Sequence, residues 1–255
     1  MRLDVYLVEH GLAKSRSYAS ALIKNSKVTV DGAVVTKPSF DVSDNKVEVT
    51  AELYPFVGRG GVKLEHALNV FSIDVSGLYA LDVGASTGGF TDCLLRRGAR
   101  RVVALDSGHG QLDEKLAADC RVVNLEGFNA KELRADMFDN LFDIAVCDVS
   151  FISQTLILKG ISEVVKPEGI YVSLIKPQFE CGKSAVGKGG IVKDGKYHYE
   201  AVKKVISCAA GYGLVCESIT TSPVKGGDGN TEFLALFRKG AATPVSDDEI
   251  KEATL

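Results

Sequence analysis

The sequence predicts an α/β protein with a mostly parallel sheet of seven strands, preceded by a small α+β unit. From residue 63 to 239, short apolar runs alternate with helical patterns, which is typical of parallel strands covered by helices on both faces. Before residue 53, two short helical patterns precede short alternating strands. A chain of 255 residues is long enough for one large domain and one small one.

The first unit is predicted to span residues 1–52. Its first helical pattern begins at Leu3, and Ser15 can cap the second. The dipeptide Asp31-Gly32 lies between β-branched residues and predicts a hairpin turn, and residues 46–50 resemble a closing strand.

Charge is unevenly distributed in this unit. The net charge of the chain is −3, so any nucleic-acid surface must be local. Residues 14–37 contain five basic side chains against Asp31 alone. On pattern alone, a solvated face and an RNA-binding face are about equally supported. The candidate RNA contacts here are Arg2, Lys14, Arg16, Lys24, Lys27 and Lys37.

Several function classes find no support. No apolar run reaches the roughly 20 residues that span a bilayer, and Asp4 and Glu9 interrupt the first apolar pattern, unlike a signal peptide. We therefore expect a cytoplasmic protein that does not act on membranes and has no evident obligatory protein partner. None of the six cysteines forms a CxxC pair, which favours buried reduced thiols over zinc or disulfides, so no metal is expected.

Two segments are predicted to lie outside the domains. Residues 53–62 contain Pro55 and several glycines and resemble a hinge. Residues 240–255 have no strong apolar pattern and are expected to fray as a C-terminal tail.

The large domain, residues 63–239, supplies the strands of the sheet. They are predicted at 79–83, 101–106, 120–124, 142–148, 170–176, 214–221 and 231–238, with helices at 90–97, 131–137, 153–165 and 197–210. No convincing helix separates the last two strands, which favours an antiparallel hairpin at one edge. Ligands of such sheets bind beyond the carboxyl ends of the strands.

The turn after the first of these strands is rich in glycine. Residues 81–91 read LDVGASTGGFT, which is neither the dinucleotide pattern GxGxxG nor a P-loop. Asp106 ends the next strand, 22 positions after Gly84, a spacing that suits a carboxylate accepting hydrogen bonds from ribose hydroxyls. Asn129 is a weaker candidate, for which a helix cap is an equally good interpretation.

This turn resembles the cofactor loop of S-adenosylmethionine-dependent methyltransferases. The resemblance implies S-adenosyl-L-methionine as cofactor. The residues expected to contact it are Asp82, Gly84, Ala85, Ser86, Thr87, Gly88, Gly89, Phe90, Asp106 and Asn129.

Four polar residues occupy notable positions. Lys63 begins the helix after the hinge, Asp148 and Lys176 end strands, and Glu232 begins the last strand. Singly, each could be a surface charge or a strand-end cap. Together they match the Lys-Asp-Lys-Glu tetrad of FtsJ-like ribose 2′-O-methyltransferases, which implies that they are catalytic.

The whole chain resembles one family. Arg2-Leu3-Asp4, Ser15-Arg16 and Lys37-Pro38-Ser39 are similar to the S4 RNA-binding domain. With the tetrad behind it, the chain is identified as a member of the hemolysin-A (TlyA) family of ribosomal RNA methyltransferases, over residues 1–238. The resemblance implies a Rossmann-like methyltransferase sheet, an S4 domain, and methylation of a ribose 2′-hydroxyl, of cytidine, in ribosomal RNA.

The tetrad suggests a mechanism. We expect Lys176 to act as general base or as the charge that stabilises the developing alkoxide. A base lysine must be partly neutral, and Lys63 is a neighbouring cation that could favour this. Asp148 and Glu232 would orient the lysines.

Residues 177–196 are predicted to form a substrate gate. They are rich in glycine and basic, and Lys183 and Lys188 are candidate RNA contacts, as is Arg59 in the hinge. Phe151 and Phe179 could stack on a base, with core packing as the alternative.

Three other functions stay open. A base N-methyltransferase is disfavoured because Asp148-Val149-Ser150-Phe151 lacks the two prolines of its usual motif. A non-catalytic ribosome-assembly factor would not need the tetrad. A membrane-active hemolysin has no strongly amphipathic basic helix to support it. In the family that the chain resembles, members that act on both ribosomal subunits tend to have extended termini, whereas little precedes Arg2 here. The resemblance therefore implies the 50S subunit as the first choice of partner and the 30S subunit as the second.

Overall fold

The computed structural model describes residues 1–255, the side chain of Lys183 excepted. The chain divides into two compact units, Met1–Pro55 and Phe56–Leu255.

The first unit packs two helices on a small sheet. Its helices are α1 (Leu3–Glu9) and α2 (Arg16–Lys24), and its strands are β1 (Val28–Val30), β2 (Ala33–Val34) and β3 (Val47–Val49), in the antiparallel order β2-β1-β3. The hydroxyl of Ser15 accepts a hydrogen bond from Tyr18 N and caps α2. Asp31 and Gly32 have φ angles of 49° and 80°, the left-handed conformation that a tight hairpin turn requires. The predicted hairpin and cap are confirmed.

A carboxylate holds two arginines of this unit. Asp4 is 5% exposed, and it accepts hydrogen bonds from Arg2 Nε and Nη2, both at 2.9 Å, and from Arg16 Nη2 at 3.3 Å. These guanidinium groups lower the pKa of Asp4 to about 2. Both arginine side chains remain more than half exposed, at 51% and 63%. The contacts therefore fix the direction of two cations without removing them from solvent.

The second unit is an α/β domain. Its strands are β4 (Tyr79–Val83), β5 (Arg101–Asp106), β6 (Val122–Glu126), β7 (Phe142–Cys147), β8 (Val165–Ile175), β9 (Leu214–Thr221) and β10 (Phe233–Lys239). Its α-helices are α3 (Gly60–Val70), α4 (Gly89–Arg96), α5 (Glu114–Ala117), α6 (Leu158–Val164), α7 (Pro177–Glu180), α8 (Gly195–Ala210) and α9 (Asp247–Thr254).

The seven strands form one sheet in the order β6-β5-β4-β7-β8-β10-β9. The strands from β4 to β8 pair in parallel, while β10 runs antiparallel to both β8 and β9. The predicted sheet and its terminal hairpin are confirmed, with the antiparallel strand β10 lying just inside the edge strand β9. Since β4, β7 and β8 are parallel neighbours, the residues that follow them meet at one rim of the sheet.

Both faces of the sheet are covered by apolar side chains. One core includes Leu81, Ile161 and Val205 and lies under α6 and α8, and the other includes Leu64, Leu94 and Val102 and lies under α3 and α4. Among the described residues, no helix is long and apolar enough to cross a membrane.

Some elements differ from the sequence prediction. The helix predicted at 131–137 consists of two 3-10 turns, Ala130–Glu132 and Ala135–Met137. Leu133 is the one residue of that stretch that is buried, so little packing energy supports a continuous helix. Part of the predicted hinge belongs to the second unit, since Phe56 is buried in its core and Val57 N donates to Asp92 Oδ2 at 2.9 Å.

The expectation that residues 240–255 fray is wrong for their second half, which forms α9. Ser246 and Glu249 make a capping box at its first turn, and Ile250 is 2% exposed against the second unit. The phenol of Tyr199 also donates to Asp247 Oδ1 at 2.6 Å. The sequence did not reveal α9 because Ile250 is its main apolar residue. The helix is stabilised instead by its capping box and by its contact with α8.

We expect Ser246→Ala to destabilise α9 by about 1 kcal/mol, because the cap accepts the amide of Glu249. Hydrogen exchange should then quicken at the first amides of α9 and stay unchanged in α4. Unchanged exchange in both helices would show that the capping box contributes nothing to α9.

Candidate functional site

The glycine-rich turn follows β4 and leads into α4. Gly84 and Gly88 have φ angles of 83° and 93°, a conformation that costs glycine little. A Cβ added at Gly84 would lie 2.7 Å from the carbonyl oxygen of Asp148. Glycine is therefore required at this position so that the loop after β7 can pack against the turn.

Carboxylates fasten the neighbouring loops. Asp106 accepts hydrogen bonds from Ser86 N and Gly108 N, each at 2.8 Å. Glu126, which was not predicted, accepts from the amides of residues 110, 111 and 112, and these bonds lower its pKa to about 2. The loop after β5 thus has a defined position beside the glycine-rich turn.

A cavity of about 340 Å³ opens at this rim of the sheet. It is lined by Arg59, Gly60, Lys63, Gly84, Ala85, Ser86, Thr87, Gly89, Phe90, Asp148, Ser150, Phe151, Lys176, Gln178, Phe179, Gly227, Asp228 and Glu232. All four predicted catalytic residues line it.

The four charged residues form two ion pairs. Lys63 Nζ donates to Glu232 Oε2 at 2.5 Å, and both side chains are almost fully buried, at 8% and 3% exposed. Lys176 Nζ lies 2.5 Å from Asp148 Oδ1, with side chains 10% and 20% exposed. Each lysine is therefore charge-compensated within the cavity wall, and Lys63 pairs with Glu232 instead of standing as a free cation beside Lys176.

Lys176 has a further partner that the sequence did not reveal as functional. Its ammonium donates to Ser150 Oγ at 2.8 Å. Ser150 lies two residues after Asp148, so one short loop supplies both partners. Phe151 follows with a φ of 63°, an unusual conformation for an aromatic residue.

A buried polar network fixes that loop against β8. Gln154 Nε2 donates to Leu174 O at 2.6 Å, while Glu180 accepts from Ser153 Oγ at 2.5 Å and from Gln154 N at 2.7 Å. Tyr171 OH also donates to Gln154 Oε1 at 3.0 Å. Burial raises the pKa of Glu180. The network therefore joins the loop after β7, which begins at Asp148, to the end of β8, which is followed by Lys176.

Not every predicted cofactor residue lines the cavity. Asp82 is completely buried below the turn and accepts a hydrogen bond from Thr91 Oγ1 at 2.7 Å. Burial raises its pKa to about 7, and its Oδ1 atom has no hydrogen-bond partner among the described residues. Because the buried carboxyl is favoured in its protonated form, it contributes to the free energy of unfolding in full below about pH 4, near its ordinary pKa. This contribution is lost as the pH rises through about 7, the pKa in the folded protein.

Three other predicted residues lie away from the described cavity wall. A Cβ at Gly88 would meet Leu116 and Leu112, so this position faces α5. Asp106 is held by loop amides, although a carboxylate keeps further acceptor sites. Asn129 accepts from Lys131 N at 3.1 Å and caps a 3-10 turn, as the alternative interpretation proposed.

Two aromatic rings stand at the mouth of the cavity. Phe151 is 93% exposed, and its ring centroid lies 5.2 Å from that of Phe179, with the ring planes inclined by 50°. Core packing, the alternative interpretation, is therefore wrong for Phe151. A fully exposed ring beside a cavity is suited to stacking on a planar ligand.

The basic residues that were predicted to contact RNA are divided between the two units. In the first unit Arg2, Lys14, Arg16, Lys24 and Lys37 are exposed and Lys27 is half-buried. In the second unit Arg59 lines the cavity and Lys188 is exposed, while the side chain of Lys183 lies outside the described residues.

The glycine-rich segment of the predicted gate is anchored by Asn230 and His198. Asn230 accepts from Val192 N and donates to Gly190 O, both at 2.9 Å. Val192 itself is 2% exposed, and its carbonyl oxygen lies 3.0 Å from His198 Nε2. Movement of the gate would have to break or pivot about these contacts.

Several residues that line the cavity were not predicted from the sequence, namely Gly60, Ser150, Gln178, Gly227 and Asp228. Gly227 and Asp228 belong to the loop KGGDGN just before Glu232, and its density of glycines was a usable signal.

The expectation that the cysteines are buried thiols holds in part: Cys93, Cys147 and Cys216 are buried, whereas Cys120 is exposed.

We expect Glu232→Gln to lower the free energy of unfolding by about 3 kcal/mol, because Lys63 would keep its charge in a buried place without a counter-charge. Urea denaturation measures this. The matched control is Glu163→Gln in the exposed pair with Lys159, whose loss should change stability by less than about 0.5 kcal/mol. Equal effects of the two substitutions would contradict the assignment of Lys63–Glu232 as a buried pair.

Comparisons with known proteins agree with this geometry. Residues 56–239 match the family of FtsJ-like methyltransferases, and residues 1–47 match the S4 domain. "Hemolysin A" of Brachyspira hyodysenteriae is 44% identical over 93% of this chain and 99% of its own length. "16S/23S rRNA (cytidine-2'-O)-methyltransferase TlyA" of Mycobacterium tuberculosis is 41% identical over 99% of this chain and 95% of its own length.

A solved structure supports the same relationship. A Streptococcus thermophilus protein described as a hemolysin candidate superposes with a TM-score of 0.81 and 37% identity, covering 100% of this chain and 94% of the other. The family match covers most of the chain, and the relatives align over nearly their full length. The chain belongs to the FtsJ-like methyltransferase family, carries an S4 domain in front of the methyltransferase domain, and is similar to relatives that are named hemolysin A and TlyA.

Proposed function

We propose that this protein transfers the methyl group of S-adenosylmethionine to a ribose 2′-hydroxyl of cytidine in ribosomal RNA. The observation that carries the proposal is the convergence of Lys63, Asp148, Lys176 and Glu232 on one cavity beside the glycine-rich turn. The names of the relatives supply the nucleotide and the RNA class. Among the described residues, no cluster of side chains suited to bind a metal was found, and the proposal requires none.

The cavity wall fits the cofactor. The turn from Gly84 to Thr87 presents backbone and small side chains to the cavity, and it leads into the first turn of α4, whose amides have no acceptor within the helix. Such amides favour a carboxylate, and the cofactor has one in its methionine part. Asp106 would accept from the cofactor ribose. Asp82 would act from below the turn, by fixing its conformation through Thr91.

The residues of this chain would prepare the hydroxyl for reaction. When bound, S-adenosylmethionine supplies an activated methyl group, so the protein must position the ribose oxygen and compensate its developing charge. Lys176 Nζ lies in the cavity wall, and as an ammonium paired with Asp148 it would stabilise the oxyanion. It could take the O2′ proton only as a neutral amine, after giving up one of its own protons. Asp148 directs Lys176, and Glu232 directs Lys63, as the two ion pairs require.

The surroundings of the cavity suit a single extruded nucleotide. Phe151 and Phe179 would stack on its base, because aromatic faces accept any base without reading its sequence. Arg59 and Lys188 would contact neighbouring phosphates, and Lys183 is proposed for the same role. Closure of residues 177–196 over the nucleotide would pivot near the anchored Val192.

We also propose that the first unit binds the RNA. Arg2 and Arg16 are exposed and are directed by Asp4, which suits contacts to phosphates. Lys14, Lys24, Lys27 and Lys37 add positive charge to this unit. We propose the 50S subunit as the first substrate to test and the 30S subunit as the second.

The test is transfer of labelled methyl from S-adenosylmethionine to unmethylated 50S and 30S subunits, followed by alkaline hydrolysis of the RNA. We expect label in an alkali-resistant dinucleotide, because a methylated 2′-oxygen cannot assist cleavage of the next phosphodiester. Label confined to mononucleotides would place the methyl on a base. If the protein binds the cofactor and labels neither subunit, ribosome assembly without catalysis becomes the better account, and release of dye from liposomes would revive the hemolysin function.

We expect Lys176→Ala to lower kcat at least about a hundredfold, the usual effect of removing a group that handles the reacting proton. Cofactor affinity, measured by calorimetry, should stay unchanged. Lys159→Ala is the matched control, since Lys159 is 72% exposed on α6. Full activity of a folded Lys176→Ala protein would remove Lys176 from the mechanism.

A further inference from the structure

We propose that Ser150 is a positioning residue that aims the Lys176 ammonium into the cavity. This inference rests on the proposed function of the site and adds a residue outside the four charged ones. Ser150 lines the cavity, and its Oγ accepts a hydrogen bond from Lys176 Nζ at 2.8 Å.

The geometry around Lys176 gives the serine its role. An ammonium has three protons to donate. Asp148 Oδ1 lies 2.5 Å from Nζ as its ion-pair partner, and Ser150 Oγ accepts a hydrogen bond from it, so the ammonium keeps a proton for a ligand. A lysine side chain is flexible, and one ion pair would leave its head free to swivel. Two acceptors fixed relative to each other remove that freedom.

The serine is held by the backbone on both sides. Asp148 N donates to Val83 O at 3.0 Å, and the carbonyl oxygen of Asp148 packs on Gly84 so closely that an added Cβ there would lie 2.7 Å away. On the other side Phe151 has a φ of 63°. The position of Ser150 therefore depends on the cofactor-side turn, which links the lysine head to the part of the site that would hold the methyl donor.

The hydroxyl of Ser150 also has a proton to give. Within the described part of the chain, the hydrogen bond from Lys176 is the one hydrogen bond of Ser150 Oγ. Since the side chain is exposed and faces the cavity, its O–H can donate to a ligand there. Ser150 would thus hold Lys176 with one lone pair while its own proton stays available on the cavity side.

The experiment compares Ser150→Ala, Ser150→Thr and Ser207→Ala. Ser207 is exposed on α8, away from the cavity, and serves as the matched control. We expect Ser150→Ala to lower kcat by about tenfold to a hundredfold, the range for a hydrogen bond to a charged group. KM for RNA and cofactor should change less than about twofold, and Ser150→Thr should recover kcat to within roughly fivefold of wild type, because it keeps the hydroxyl.

A second readout does not require turnover. Acetic anhydride labels lysine amines, and mass spectrometry gives the rate at Lys176 relative to Lys159 in the same molecule. We expect Ser150→Ala to speed labelling of Lys176 several-fold and Ser207→Ala to leave it unchanged. The proposal would be overturned if Ser150→Ala changed neither the labelling rate nor kcat, or if it raised KM alone. If wild-type protein methylates no RNA, the proposed function fails, and the labelling rate still decides whether Ser150 holds Lys176.

Discussion

The burial of two lysines at the rim of the sheet is the constraint on which the site depends. An ammonium removed from water is stable only beside a compensating charge. Glu232 supplies that charge to Lys63, and Asp148 supplies it to Lys176. The pairs join α3 to the start of β10, and the end of β7 to the end of β8. The cavity exists in this form because four elements that are distant in sequence must each place one charge there.

Close backbone packing fixes the positions of the segments that carry these charges. Gly84 allows the loop after β7 to touch the glycine-rich turn, and the network around Gln154 and Glu180 ties the same loop to β8. The turn that is suited to the methyl donor and the lysine that is suited to the hydroxyl are thereby held by one rigid connection. Positioning is the larger part of catalysis when the methyl group is already activated, and this scaffold is built for positioning.

The sequence predicted the sheet and the small unit, because each depends on local pattern. The four charged residues came from the resemblance to the tetrad of a known family, since each alone could be a surface charge. The sequence prediction failed where tertiary contacts decide. The helix α9 depends on a cap and on α8, and the stretch at 131–137 buries too little to stay helical. Asp82 matched the motif yet is buried away from the cavity, and Ser150 is ordinary in sequence and distinctive only through its contact with Lys176. The pairing of Lys63 with Glu232 required coordinates, since 169 positions separate them.

A crystal structure with S-adenosylhomocysteine and a short cytidine-containing RNA would test the central claim most directly. Our account predicts one extruded nucleotide in the cavity, with its ribose O2′ about 3 Å from Lys176 Nζ, within hydrogen-bond reach, and facing the cofactor sulfur. A nucleotide that presents a base nitrogen or carbon to the sulfur, with its O2′ remote from Lys176, would contradict ribose methylation. It would leave the two ion pairs with a purely structural role.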